Sequence, residues 1–137
     1  YATRLGDRGG ESMCLVNLGA VALHVGDLEA AETFYVQALE IEQAMGSRSE
    51  ISVSLDGLAA VAARRGDAKR GAWLAGAAGA LRESIGYALE PVDLMVRDAA
   101  LATLAEQLGE PALAEAIADG RAAPVADVVA AALNRTP

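Results

Sequence analysis

Residues 15–28 read LVNLGAVALHVGDL and residues 55–68 read LDGLAAVAARRGDA. At an offset of 40 positions, Leu15 meets Leu55, Leu18 meets Leu58, Ala20-Val21-Ala22 meets Ala60-Val61-Ala62, and Gly26-Asp27 meets Gly66-Asp67. The register continues outward in both directions. Gly6, Arg8 and Ser12 meet Gly46, Arg48 and Ser52, while Ala38 meets Ala78 and Gly46 meets Gly86. Self-similarity at a fixed period of this length marks an architecture of stacked repeats. The chain therefore holds two copies of a unit of about 40 residues, covering 5–46 and 45–86.

Each copy reads as a helical hairpin. In the first, Cys14, Leu15, Leu18, Val21, Ala22 and Val25 recur with a 3.6-residue period, which predicts a helix that packs this stripe inward, with Cys14 as a small buried hydrophobe. Gly26 suits the left-handed residue that closes a helix, and Asp27 suits the cap that opens the next. The second helix carries Leu28, Ala31, Phe34, Tyr35, Ala38, Ile41 and Met45 on its apolar side, with Glu29, Glu32, Gln37, Glu40 and Gln43 outward. The second copy repeats the plan with Leu55, Leu58, Val61 and Ala62, then Leu74, Ala78, Leu81 and Ile85. No segment alternates with the two-residue period of a half-buried strand.

The last third is helical outside the repeat. Pro91 suits the first position of a helix running to about Leu108, with Leu94, Leu101, Leu104 and Leu108 on one side. Gly109-Glu110-Pro111 stops it and starts another containing Leu113 and Ile117, which Gly120 is expected to end; Pro124 opens a final helix with Val125, Val128, Val129 and Leu133. Residues 87–137 thus read as a degenerate third hairpin and closing helices, modified because a terminal unit needs a different outer face. The fold predicted is all-α, with about seven helices in a single domain over 1–137.

Composition narrows the function. The 137 residues (14.0 kDa) suffice for one domain, and 32 of them are alanine, the strongest helix former. With 53% of residues hydrophobic the chain has enough apolar surface for a core, which argues against disorder. One cysteine excludes a disulfide scaffold, and a net charge of −8 disfavours nucleic-acid binding by this segment. No uncharged run approaches the length of a membrane span, and no basic start precedes an apolar run, so the expected compartment is the cytoplasm. The start at Tyr1 suggests a piece of a longer polypeptide.

Catalytic chemistry is thinly supplied. Cys14 and His24, each the sole residue of its type, are ten positions apart and fall on different sides of one helix. His24 and its counterpart Arg64 stand in the last turn of their helices, where a cation complements the terminal partial charge. A phosphate-cradling loop and metal-ligand spacing are missing, so no cofactor and no metal are expected, and enzyme activity is not. Gly71, Gly76 and Gly79, with Ala72, Ala75 and Ala80, suit close helix approach. Arg64, Arg65, Lys69 and Arg70 cluster around the second turn of the array, and Trp73 is the only tryptophan; Arg65, Lys69, Arg70 and Trp73 are a candidate interface.

The first unit resembles the tetratricopeptide repeat (TPR): Leu18-Gly19, Ala22, Ala31, Tyr35 and Ala38 stand at that family's spacings. The second supplies Leu58, Ala62 and Ala78, but has Ala59, Gly71 and Ala75 where Gly, Ala and an aromatic belong. The resemblance implies a right-handed superhelix of TPR-like hairpins in which the first helix of each hairpin lines a concave wall. Carried over, the wall comprises Met13, Val16, Asn17, Ala20 and His24 from the first unit and Val53, Asp56, Ala60 and Arg64 from the second. The basic clamp of some TPR domains is not matched, since Val16 and Asp56 occupy its positions. Over nearly the whole chain, LGAVALHVGDLEAAETFYVQALEI, SLDGLAAVAARRGD, GAAGALRESIG and IADGRAAPVADVVAAAL also look like the C-terminal tail of large bacterial regulators that carry a signalling ATPase, often with a LuxR-type helix-turn-helix. That resemblance implies a protein-interaction and regulatory module of a signalling or transcription regulator, its partner a protein, a peptide, a neighbouring domain or another copy of the chain. The alternative is a small-ligand sensor controlling an attached ATPase or DNA-binding domain.

Overall fold

The computed structural model describes residues 5–134; residues 1–4 and 135–137, included in the single-domain reading of 1–137, lie outside the described residues. Seven helices follow one another, α1 (Leu5–Val25), α2 (Leu28–Met45), α3 (Arg48–Arg64), α4 (Ala68–Ile85), α5 (Pro91–Leu108), α6 (Glu110–Ala122) and α7 (Val125–Leu133). The fold is all-α, and the described residues contain no strand.

The turns are built by the repeated glycines. Gly26 and Gly66 adopt φ of +87° and +84°, and Gly46 and Gly86 +71° and +67°, all in the left-handed region. At the first pair the same hydrogen bonds recur 40 residues apart. Asp27 N–H donates to the Ala22 carbonyl and Asp67 N–H to the Ala62 carbonyl, both at 2.9 Å, while the glycine N–H groups donate to Leu23 and Ala63, both at 3.1 Å. These are paired Schellman closures, which satisfy carbonyls the helix end would otherwise strand. The Asp27 carboxylate then accepts from Ala30 N–H at 3.2 Å and caps α2; Asp67 makes no such bond.

Successive helices pack side by side: α1 on α2, α2 on α3, α3 on α4. The later helices form a second tier, with α5 against α3 and α4, α6 against α4, and α7 touching α2, α3 and α4. Tyr35 is the hub of the first tier. Its buried ring lies between Gly19 of α1 and Gly57 of α3; a Cβ at Gly19 would sit 2.8 Å from the ring, and one at Gly57 would overlap it. Leu39, Leu55, Leu74 and Val128 of the same core are fully enclosed.

Small residues bring α4 and α6 together. A Cβ on Gly76 would run into the Ile117 carbonyl, and one on Gly120 into the Trp73 carbonyl. Gly71 meets α3 in the same manner, its missing Cβ facing the Ala59 carbonyl oxygen at 3.1 Å. Gly120 therefore does not end α6, contrary to the expectation from sequence: the helix runs on to Ala122, because the glycine serves close approach and the chain turns out at Ala123 and Pro124.

The stripe expected to bury α1 is also corrected. Cys14, Leu18, Val21 and Val25 are exposed, and the buried face is Ser12, Val16, Gly19, Ala22 and Leu23. That face is poor in large apolar residues because it must leave room for the Tyr35 ring. Met45 and Ile85, assigned to apolar sides, sit exposed at the ends of α2 and α4, and Leu94 is exposed on α5.

Candidate functional site

A cavity of about 370 Å³ opens between α1, α3 and α5. Its walls are Ala20, Leu23 and His24 from α1, Ala60, Ala63 and Arg64 from α3, and Val92, Met95, Val96, Ala99, Ala100 and Thr103 from α5. Five of these twelve residues are alanine, so the space exists because side chains are short where three helices converge. Val92 and Met95 are 58% and 70% exposed, which places large apolar side chains on the rim in contact with water. His24 and Arg64 occupy the last turns of α1 and α3, and no carboxylate lines the cavity. Arg64 has no carboxylate within ion-pair distance among the described residues, whereas Arg8, Arg65, Arg82, Arg97 and Arg121 each have one.

Of the wall residues expected from sequence, the structure brings Ala20, His24, Ala60 and Arg64 together around this cavity. Met13 and Asn17 are exposed on α1 outside it, Val16 is buried, and Val53 is buried on α3. Asp56 is not on an open wall. It is 2% exposed and held by two guanidinium groups, Arg82 Nη1 at 2.6 Å from Oδ2 and Arg97 Nη1 at 2.5 Å from Oδ1. Arg97 also donates to the Ala75 carbonyl at 2.9 Å, and a Cβ on Gly79 would lie 3.0 Å from its Nη2, so α4 is notched where the guanidinium passes. Burial pushes the Asp56 carboxyl upward while Arg97 and Arg82 pull it down. Burial, with the charges of Asp93 and Asp56, likewise pushes the Tyr35 phenol up. This cluster ties α3, α4 and α5 together, with Asp56 one turn before Ala60 on α3 and Arg97 next to Val96 on α5.

A second buried acid lies between α2 and α3. Glu42 of α2 is fully enclosed; Ser54 Oγ of α3 donates to its Oε1 at 2.7 Å, and its Oε2 has no hydrogen-bond partner. Burial pushes its carboxyl up to about 8, with the nearby Glu50 charge adding to the effect and Ser54 and Ser12 opposing it. The α2 periodicity does separate it from exposed Glu40: Glu42 follows Ala38 by four residues and Tyr35 by seven, on the buried face of the helix.

The candidate basic interface is largely used within the chain. Arg65 pairs with Glu32 of α2 at 2.6 Å, and Arg70 donates to the Ala131 carbonyl of α7 at 3.2 Å. Trp73 is partly buried, its backbone against Gly120 of α6, and Lys69 is exposed. The α5 wall lies in the segment where the repeat has diverged, so no local pattern marks its residues. A further step of 40 residues from Asp56 and Ala60 arrives at Val96 and Ala100, both lining the cavity.

The described residues contain no group of three or more His, Cys, Asp or Glu placed to hold a metal ion, and no helix long and apolar enough to cross a membrane. No model of a known protein family matches the chain, and neither does any curated protein sequence or solved structure.

Proposed function

We propose that this chain is a non-catalytic interaction and regulatory module, built of TPR-like hairpins and belonging to a bacterial signalling or transcription regulator. The observation that carries the reading is the cavity, an open and mostly apolar recess walled by the first helices of three successive hairpins and rimmed by exposed Val92 and Met95. Recesses of this size, with a few convergent polar groups in an apolar lining, are where proteins bind smaller partners. The ion pairs of Asp56 with Arg82 and Arg97, which tie α3 to α4 and α5, favour a preformed wall. The lining offers one imidazole, one guanidinium and one hydroxyl, a set suited to recognition more than to proton transfer between paired groups.

The regulator context is tested by the mass and peptide map of the native polypeptide containing this segment. Peptides from an ATPase or helix-turn-helix module are expected on a chain far larger than 14.0 kDa. A native chain of about this size would sink that part of the reading. A second reading, a small-ligand sensor, is favoured by the concave shape and limited volume of the recess, which suit a compact molecule as well as a peptide side chain.

A further inference from the structure

The cavity has two chemically distinct parts. Leu23, Ala60, Ala63, Val96, Ala99 and Ala100 give an apolar body, while His24 and Arg64 supply donors at the C-terminal ends of α1 and α3. The two basic residues are counterparts in the repeat, one 40 residues after the other, so the relation that sets α3 beside α1 also sets them at matching levels of adjacent helices. Arg64 is exposed and keeps a permanent positive charge with no carboxylate in ion-pair range among the described residues, and no carboxylate lines the cavity. A guanidinium presents paired donors whose spacing matches a carboxylate. The apolar rim of Val92 and Met95 would leave water only when something hydrocarbon lies across it.

We propose that the cavity binds a small amphipathic carboxylate, its anionic head on Arg64 and His24 and its hydrocarbon tail along the alanine-lined wall under Met95. This rests on the small-ligand reading of the same recess and names the ligand's chemistry. A phosphate ester or polyanion is a poorer fit, because one guanidinium offers little counter-charge. A neutral hydrocarbon would make no use of the guanidinium's donors.

The test is calorimetric titration of the chain with hexanoate, octanoate and decanoate, with decanol and decyltrimethylammonium as controls. Expected are one site, affinity rising about fourfold with each added methylene, and markedly weaker binding of both controls. Arg64→Glu is expected to weaken decanoate roughly tenfold or more, and Ala99→Phe, which fills the recess from an exposed position, to abolish binding. Circular dichroism melts establish that both variants fold. Should Arg64→Glu melt early, Arg64→Gln serves in its place, removing the charge alone. Equal binding of decanol and decanoate would overturn the assignment of the head group, and so would decanoate binding unaffected by either variant. Absence of decanoate binding would overturn the inference. If a thermal-shift screen then finds another ligand whose binding Ala99→Phe blocks, the sensor reading survives and only the ligand class falls. If no compound of any class shifts the melt, both fall together.

Discussion

Tyr35 shows how a single side chain sets the composition of its neighbours. Its ring occupies the volume that side chains at positions 19 and 57 would need, which makes glycine a steric requirement at two places inside helices. Gly57→Ala is expected to destabilise by about 1–3 kcal/mol through overpacking. Gly10→Ala, at an exposed helical site with nothing within 4 Å, should stabilise by about 0.5–1 kcal/mol. Urea unfolding of the two variants gives the comparison, and a like sign for both would contradict the packing described. Glu42 yields a pH dependence. Its folded-state carboxyl titrates near 8 against an ordinary value of 4.5, so the folded state holds the proton more tightly than the unfolded chain does. The stability this confers is complete below the unfolded value, falls as pH rises through the window up to about 8, and is absent above it. Glu42→Gln keeps the acceptor for Ser54 and removes the titration. The melting temperature of the native chain should therefore decline relative to this variant between about pH 5 and about pH 9; a constant difference across that range would contradict the assignment.

At the scale of elements, helix positions were legible because helix ends are local chemistry. Gly26-Asp27 and Gly66-Asp67 need only their own preceding turn to close one helix and open the next, and Pro91 and Pro124 mark the starts of α5 and α7 in the same way. Which face of a helix turns inward depends on neighbours that the chain brings in from elsewhere, and here sequence periodicity misled. The Leu18–Val21–Val25 stripe of α1 is the counterpart of Leu58 and Val61 on α3 and of Arg65 just past its end. On α3 that face is covered: Leu58 and Val61 are buried, and Arg65 reaches Glu32 on α2. No described helix lies on the same face of α1, so Val21 is 59% exposed where Val61 is 3% exposed. Val61→Ala should cost about 1–3 kcal/mol and Val21→Ala within about 0.5 kcal/mol. Thermal melts of the pair decide it, and equal losses would mean that α1 is covered in solution. The ion pairs were illegible for a related reason. Asp56 and Arg97 are 41 residues apart, and nothing in the local pattern of either names the other.

Across the whole molecule, the 40-residue offset carries more of the site than any motif does. It places His24 beside Arg64 and Ala20 beside Ala60, and its extension reaches the α5 residues Val96 and Ala100 that complete the recess. The candidate site was therefore visible in part: Ala20, His24, Ala60 and Arg64 were among the nine wall residues that the resemblance implied, whereas the α5 wall lies in the divergent segment where the repeat had faded. The proposed role depends on this recess being occupied during the protein's work. That is tested most directly by replacing Met95 with a photo-reactive amino acid in the native polypeptide and irradiating cells. An equivalent replacement at Glu115, exposed on α6 and outside the cavity lining, serves as the control. An adduct of defined mass is expected from position 95, lost on adding Ala99→Phe, and none from position 115. No adduct at position 95, or equal yields from the two positions, would contradict it.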